Sequence, residues 1–401
     1  MEQKIITLLR QFIAFRTVAG ENEVKKKCLE WVESVFFERV AQSATSREAL
    51  RLSSLLRTTP EGQAGQTSRL AHSARSLEEN ETGRAKKYYG AIDGAPYLYL
   101  PHPNPKLLWF AHIDVVPADD HQFSLIQKED NLIGRGTADM KGNQLPFLMA
   151  LRDAFERGDD PPISVLLTSD EETAGQTIPK LLEEGIIKNI PVAFTPDCGP
   201  KIVCEHKGVV WADLLCHGKG CHAAYPWAGE NPLFILAEAL LKIRKAFPPE
   251  DEEEWRMTVT PTDITGSDAR NQIPESASAK IDIRFTPDSA TSADAALDLV
   301  KNILPPHCTL TTHLAASHLR TDPQHPMVQI VKKIAEEVTG EAVPICREPG
   351  GTDARYFGEK GIAAFLYGVE GGGIHGKDEW VSLQSLMLNY EISNRLIHAL
   401  L

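Results

Sequence analysis

Residues 163–175 read ISVLLTSDEETAG. Ile163 to Thr168 is an apolar, β-branched run of strand length, the pattern of a strand buried on both faces. It ends in three acids, Asp170, Glu171 and Glu172. Like charges packed side by side repel, and one carboxyl must keep its proton unless a cation is present. Acids at the end of a buried strand suit a parallel sheet, where ligands bind beyond the carboxyl ends of the strands.

The flanking sequence supports that sheet. YLYLP, LLWFAHIDVV and VAFTPD read as further strands, and NQLPFLMALRDAFERG and TIPKLLEEGII as helices between them. Alternating strands and helices predict an α/β layer with a mainly parallel sheet. Two N-terminal helices precede it, the second over about Glu23 to Phe37. Near Lys207 the texture changes. GVVWADLLCHG and ASAKIDIRFTP alternate like strands covered on one face, and NPLFILAEALLKIRKAF is a helix. After Ala316 the first texture returns with PMVQIVKKIAEEVTG, IAAFLYG and SLQSLMLNYEISNRLIHALL. The expected organisation is therefore an α/β domain over 1–206 and 317–401, interrupted by a smaller α+β domain over 207–316. Glu38 to Lys87 holds no Phe, Trp or Tyr and reads as a mobile insertion with some helix.

Composition narrows the function. The 401 residues carry a net charge of -13 with no long basic block, which argues against nucleic acid or an anionic membrane as the main partner. No apolar run reaches membrane-spanning length, and the N-terminus lacks the pattern of a signal peptide. Seven scattered cysteines suit a reducing, cytoplasmic setting better than a disulfide framework.

Five candidate ligands follow apolar strands or sit in Gly-rich loops: His112, Asp139, Glu172, Asp197 and His375. Singly, each has a plainer explanation: a hydrogen-bonded strand-end histidine, a helix cap, a turn, a solvated loop. Together, two imidazoles and three carboxylates make the mixed nitrogen and oxygen set that suits zinc, cobalt or manganese. One carboxylate can bridge two ions.

HID, GRGTADMKG, SDEE, TPD and HGKDEW occur in that order, and the chain resembles the M20 metallopeptidases over nearly its whole length outside 38–87. That group holds desuccinylases, deacetylases, aminoacylases, carboxypeptidases and dipeptidases. The resemblance implies a three-layer catalytic domain, a two-layer lid and dimerisation domain, and two divalent ions, zinc first, with cobalt or manganese as alternatives. Asp139 would bridge the ions, His112 and Asp197 would complete one site, and Glu172 and His375 the other. Asp114 would hold the far nitrogen of His112, and Glu171 would be the general base. Asp170 is left to support the turn or cap the next helix.

The inserted domain carries further matches. GKGCHAAYPWAGENP implies His222 as oxyanion stabiliser. Cys216, His217, Cys221 and His222 lack a common zinc spacing, and an alternating strand separates the first two. ARNQIPESASAKIDIRF implies Asn271 and Arg284 as polar contacts near substrate or dimer interface, although Arg284 could equally form a surface salt bridge. In PGGTDARYFGEKGI, Gly350, Gly351 and Thr352 could form an anion nest, with Arg355 as a carboxylate clamp. Asp197, where the group has Glu or Asp, leans toward dipeptidases; the other motifs lean toward deacylases. The expected activity is hydrolysis of a small carboxylate-bearing N-acyl amino acid by a cytoplasmic homodimer. A dipeptidase or carboxypeptidase, and a catalytically silent binding protein, are the alternatives.

Overall fold

The computed structural model describes residues 1–37, 75–76, 87–249, 255–267 and 269–401. Most of the expected insertion at 38–87 lies outside the described residues. Contacts divide the chain into two compact units. The first comprises Met1–Ile202, Pro323–Ile345 and Phe365–Leu401; the second comprises Val203–Asp322 and Cys346–Ala364.

The first unit is built on the strand that ends in the three acids. Ile163–Thr168 is buried along its full length, as its unbroken apolar run requires. It pairs in parallel with Leu107–His112, Leu107 opposite Ile163 and His112 opposite Thr168. On the other side, Leu107–His112 pairs in parallel with Val192–Thr195. Ala95–Leu100 and Tyr88–Ile92 extend the sheet antiparallel at one flank. Helix Lys141–Arg157 is buried over most of its length and stacks Phe147 on Trp109, ring centroids 4.6 Å apart. Leu383–Leu400 packs against it, and Glu2–Ile13 buries Ile5, Leu9, Phe12 and Ile13. The result is an α/β fold with a large, mainly parallel sheet.

A second, small antiparallel sheet in this unit has no clear sequence signal. Trp380–Ser382 pairs with Asn131–Ile133 and with Gly371–Gly372, and Ile126–Lys128 completes it. These strands have two or three residues each, too short for a period to show. They bring the loops 134–139 and 373–379 side by side.

The second unit holds a four-stranded antiparallel sheet in the order Thr258–Thr265, Ser276–Phe285, Gly208–His217, Cys308–Ala316. Gly208–His217 alternates burial along its length. Its inward residues Val210, Ala212, Leu214 and Cys216 share a core with Leu236, Ala239 and Ile243 of helix Pro232–Ala246 and with Ala296, Leu297 and Val300 of helix Ala293–Lys301. Cys216 faces this core while His217 is exposed, the separation that alternation requires. Within the second unit, Lys207 N–H donates to the Glu348 carbonyl, and Thr321 Oγ1 donates to the Ala364 carbonyl.

Candidate metal centre

His112, Asp139, Glu172, Asp197 and His375 all belong to the first unit. His112 is the last residue of its strand. Glu171 and Glu172 lie in the short turn Glu171–Thr173, just past the parallel neighbour. Asp197 follows Val192–Thr195, so it leaves the sheet at the same end. Asp139 and His375 come from the two loops that the small sheet joins.

His112, Asp139, Glu172 and His375 meet. His112, Asp139 and Glu172 each offer a ligand atom, and these atoms lie within 4.8 Å of one another. His112 Nε2 is 3.1 Å from Asp139 Oδ1. His375 Nε2 is 3.2 Å from Asp139 Oδ2 and 3.1 Å from Glu172 Oε2. His375 is half exposed, and its backbone has a φ of 62°, a left-handed conformation that histidine tolerates better than most residues. Asp139 is not a helix cap, since the helix that follows starts without any side-chain cap.

Electrostatics hold the cluster together. Burial opposes a charge on His112, but Asp114 and Asp139 outweigh it and raise the imidazole well above its ordinary range. Asp139 and Glu172 push His375 up to about 10. Burial would raise Asp139, yet the two imidazoles hold its carboxyl below the usual range. The acids thus attract positive charge, as a cation site must.

The donor atoms also fit a metal. His112 Nε2 and Glu172 Oε1 are buried without a hydrogen-bond partner. The Nε2 contact to Asp139 is close enough for an ion pair. Buried polar atoms are normally satisfied, and a divalent cation would satisfy both. The far nitrogen of His112, Nδ1, is nearest the Asp114 carbonyl oxygen at 3.1 Å. The Asp114 carboxylate places Oδ1 3.4 Å from the same nitrogen, while its Oδ2 accepts the Glu172 N–H at 3.1 Å. The backbone carbonyl, rather than the expected carboxylate, is therefore the closer partner. A carbonyl only accepts, so Nδ1 keeps its proton and Nε2 is the nitrogen that would bond a metal after giving up its own.

Asp170 stands apart from this group. Its Oδ2 accepts Thr177 N–H and Thr177 Oγ1–H at 3.0 and 2.8 Å, at the start of helix Thr177–Glu183. Desolvation raises its carboxyl.

Two buried residues without a sequence assignment surround the Asp139 loop. The Glu379 carboxylate accepts from Arg135 Nη1 and Gly136 N on one oxygen, and from Ala138 N and Asp139 N on the other, at 2.6–3.0 Å. Arg135 Nη2 donates to the carbonyls of His375 and Gly376 at 3.1 and 2.9 Å. Their only sequence signal was membership of the GRGTADMKG and HGKDEW motifs.

Residues 108–399 match Peptidase family M20/M25/M40. This chain belongs to the M20 peptidases. The succinyl-diaminopimelate desuccinylase of Helicobacter pylori (strain HPAG1) is 32% identical over 307 residues, covering 71% of this M20 chain and 79% of that protein. A metallo-carboxypeptidase of the family from Sulfolobus solfataricus superposes with a TM-score of 0.72 at 17% identity, over 98% of each chain. Aminopeptidase PepT from Bacillus cereus ATCC 10987 gives 0.71 at 16%, over 100% of this chain and 99% of that one. Membership makes the chain a metal-dependent hydrolase of amide or peptide bonds.

The other residues singled out in this M20 chain lie in the second unit. His222 is exposed on a two-residue strand opposite Gln272. The Asn271 carbonyl accepts the Ala223 N–H at 2.8 Å. Arg284 makes a two-pronged pair with Asp282 at 2.9 and 3.1 Å, the salt bridge its sequence context allowed. Gly350 and Gly351 precede Thr352, whose N–H points to His206 Nε2 at 3.4 Å rather than to an open nest. Arg355 is buried, 3.7 Å from Asp353. No helix among the described residues is long and apolar enough to cross a membrane.

Proposed function

We propose that this protein is a two-metal amidohydrolase that cleaves the amide bond of a small N-acyl amino acid bearing a free carboxylate. One observation carries the reading: the two oxygens of Asp139 face two different imidazoles, His112 and His375, as a bridging carboxylate must. Asp197 would complete the site beside His112, and Glu172 the site beside His375. This donor set suits zinc, with cobalt or manganese as alternatives. Bound ions would polarise the amide carbonyl and acidify a water.

Glu171 takes the water's proton and passes it to the leaving nitrogen. It shares a turn with Glu172, where neighbouring side chains diverge and can divide the work. His222 suits an oxyanion donor. Its Nδ1 accepts the Ala224 N–H at 3.1 Å, so Nε2 carries the proton. The substrate carboxylate is assigned to Gly350, Gly351 and Arg355, with Asn271 beside His222. The name of the Helicobacter relative supports acyl rather than peptide substrates. All seven cysteines are unpaired, which supports a cytoplasmic setting.

We also propose a homodimer through the second unit. Thr258–Thr265 is the edge of its sheet, and edge strands invite pairing with another chain. Beside it, a cleft of about 750 Å³ runs between this strand and helix Pro232–Ala246.

A panel of N-succinyl and N-acetyl amino acids and dipeptides on metal-loaded enzyme tests the activity. The acylated substrates should turn over fastest, and Glu171→Gln should lose about 100- to 10,000-fold in turnover with its metal retained. Faster dipeptide cleavage would move the protein to the dipeptidases. Absence of both metal and turnover would make it a silent binding protein.

A further inference from the structure

The Glu379–Arg135 pair joins the two loops that carry Asp139 and His375, yet neither residue has a place in the proposed chemistry. Both are buried, 1% and 2% exposed. Each Glu379 oxygen accepts two donors, one of them the N–H of Asp139 itself. The Glu379 carbonyl accepts the Gly134 N–H at 2.9 Å. Arg135 then reaches past Glu379 to the carbonyl of His375. Gln122 Nε2 holds the next two carbonyls of the same loop, Gly376 and Lys377, at 3.1 and 3.0 Å.

His375 needs such support. It is the half-exposed member of the cluster, on a backbone in the left-handed region, with no regular strand or helix beneath it. His112, by contrast, ends a fully buried strand.

We propose that Glu379 and Arg135 are positioning residues that set the spacing between Asp139 and His375 and so govern the affinity of the ion beside His375. The inference rests on the two-metal reading. Only a carboxylate can serve all four donors, because it accepts on both oxygens. An amide would turn an NH₂ toward two N–H groups. Arg135 is equally specific, since one planar fork bonds Glu379 with one nitrogen and the His375 loop with the other. A lysine keeps the charge but cannot span both.

The test is a cobalt titration of apo-protein followed by visible absorption and calorimetry, on wild type, Glu379→Gln and Arg135→Lys. Wild type should take up two ions. In both variants the ion beside His375 should weaken about 10- to 100-fold, the usual cost of losing support behind a ligand. The other ion should bind unchanged. Metal-free thermal melts separate this from general damage, because a merely structural role would lower stability and leave both affinities intact. If wild type binds a single ion, the two-metal reading fails. If wild type binds two and the folded variants bind both as tightly, the positioning role fails. Should Glu379→Gln not fold, Arg135→Lys decides by the same criteria.

Discussion

His206 shows how one buried side chain can set a pH limit. It is fully buried, its Nδ1 donates to the Lys207 carbonyl at 3.1 Å, and its Nε2 accepts from Thr352 N–H. Burial, with the Arg355 charge and the His318 imidazole nearby, lowers its pKa to about 3, although the Lys207 carbonyl opposes the shift. An unfolded histidine titrates near 6.5. Above that pH both states are neutral and no stability is lost. As pH falls from about 6.5 toward 3, the unfolded chain gains a proton that the native state refuses, so stability declines. Between about pH 7 and pH 5 the loss should be roughly 2 kcal/mol from this residue. Urea melts across that range should show a shallower slope for His206→Asn, which keeps the donor to Lys207 and cannot titrate. Equal slopes would remove His206 as the cause. Its neutrality comes from partners at 207, 318, 352 and 355 that no local pattern brings together.

At the scale of the element, the turn after Ile163–Thr168 depends on a close approach. A Cβ on Gly175 would lie 1.9 Å from Asp170 Oδ2, and Gly175 N–H bonds the Asp170 carbonyl at 2.8 Å. Gly175→Ala should therefore push Asp170 off Thr177 and cost about 1–3 kcal/mol, the range for overpacking. Chemical denaturation measures it, and a loss under about 0.5 kcal/mol would mean that the turn relaxes freely. Long elements were legible in the sequence because their periods are long enough to repeat. Glu2–Ile13, Pro326–Thr339 and Leu383–Leu400 fall where their apolar spacing puts them. The strands Asn131–Ile133, Gly371–Gly372 and Trp380–Ser382 were not legible. Two or three residues hold no period, and the pairing of Trp380–Ser382 with Asn131–Ile133 links positions about 250 residues apart.

At the scale of the molecule, the proposed dimer predicts a concentration-dependent mass. Leu241 and Ile264 are 64% and 59% exposed, on the helix and the edge strand that flank the cleft. Leu241→Glu and Ile264→Lys should convert dimer to monomer in sedimentation while changing the unfolding free energy of the subunit itself by less than about 0.5 kcal/mol. A wild-type monomer at micromolar concentration would sink the proposal. By itself the sequence determined the layered α/β fold, the family, and which acids and histidines sit at strand ends. Those follow from local hydrophobic period and from motifs short enough to be read in one stretch. The tertiary structure alone decided how they are used. It turned Asp170 toward Thr177, gave His112 Nδ1 to a carbonyl, and occupied Arg284 with Asp282. It also set Asp139 between two imidazoles by way of Glu379 and Arg135. Hydrogen bonds and ion pairs act over about 3 Å in space whatever the separation along the chain, so these partners appear only when the chain has folded.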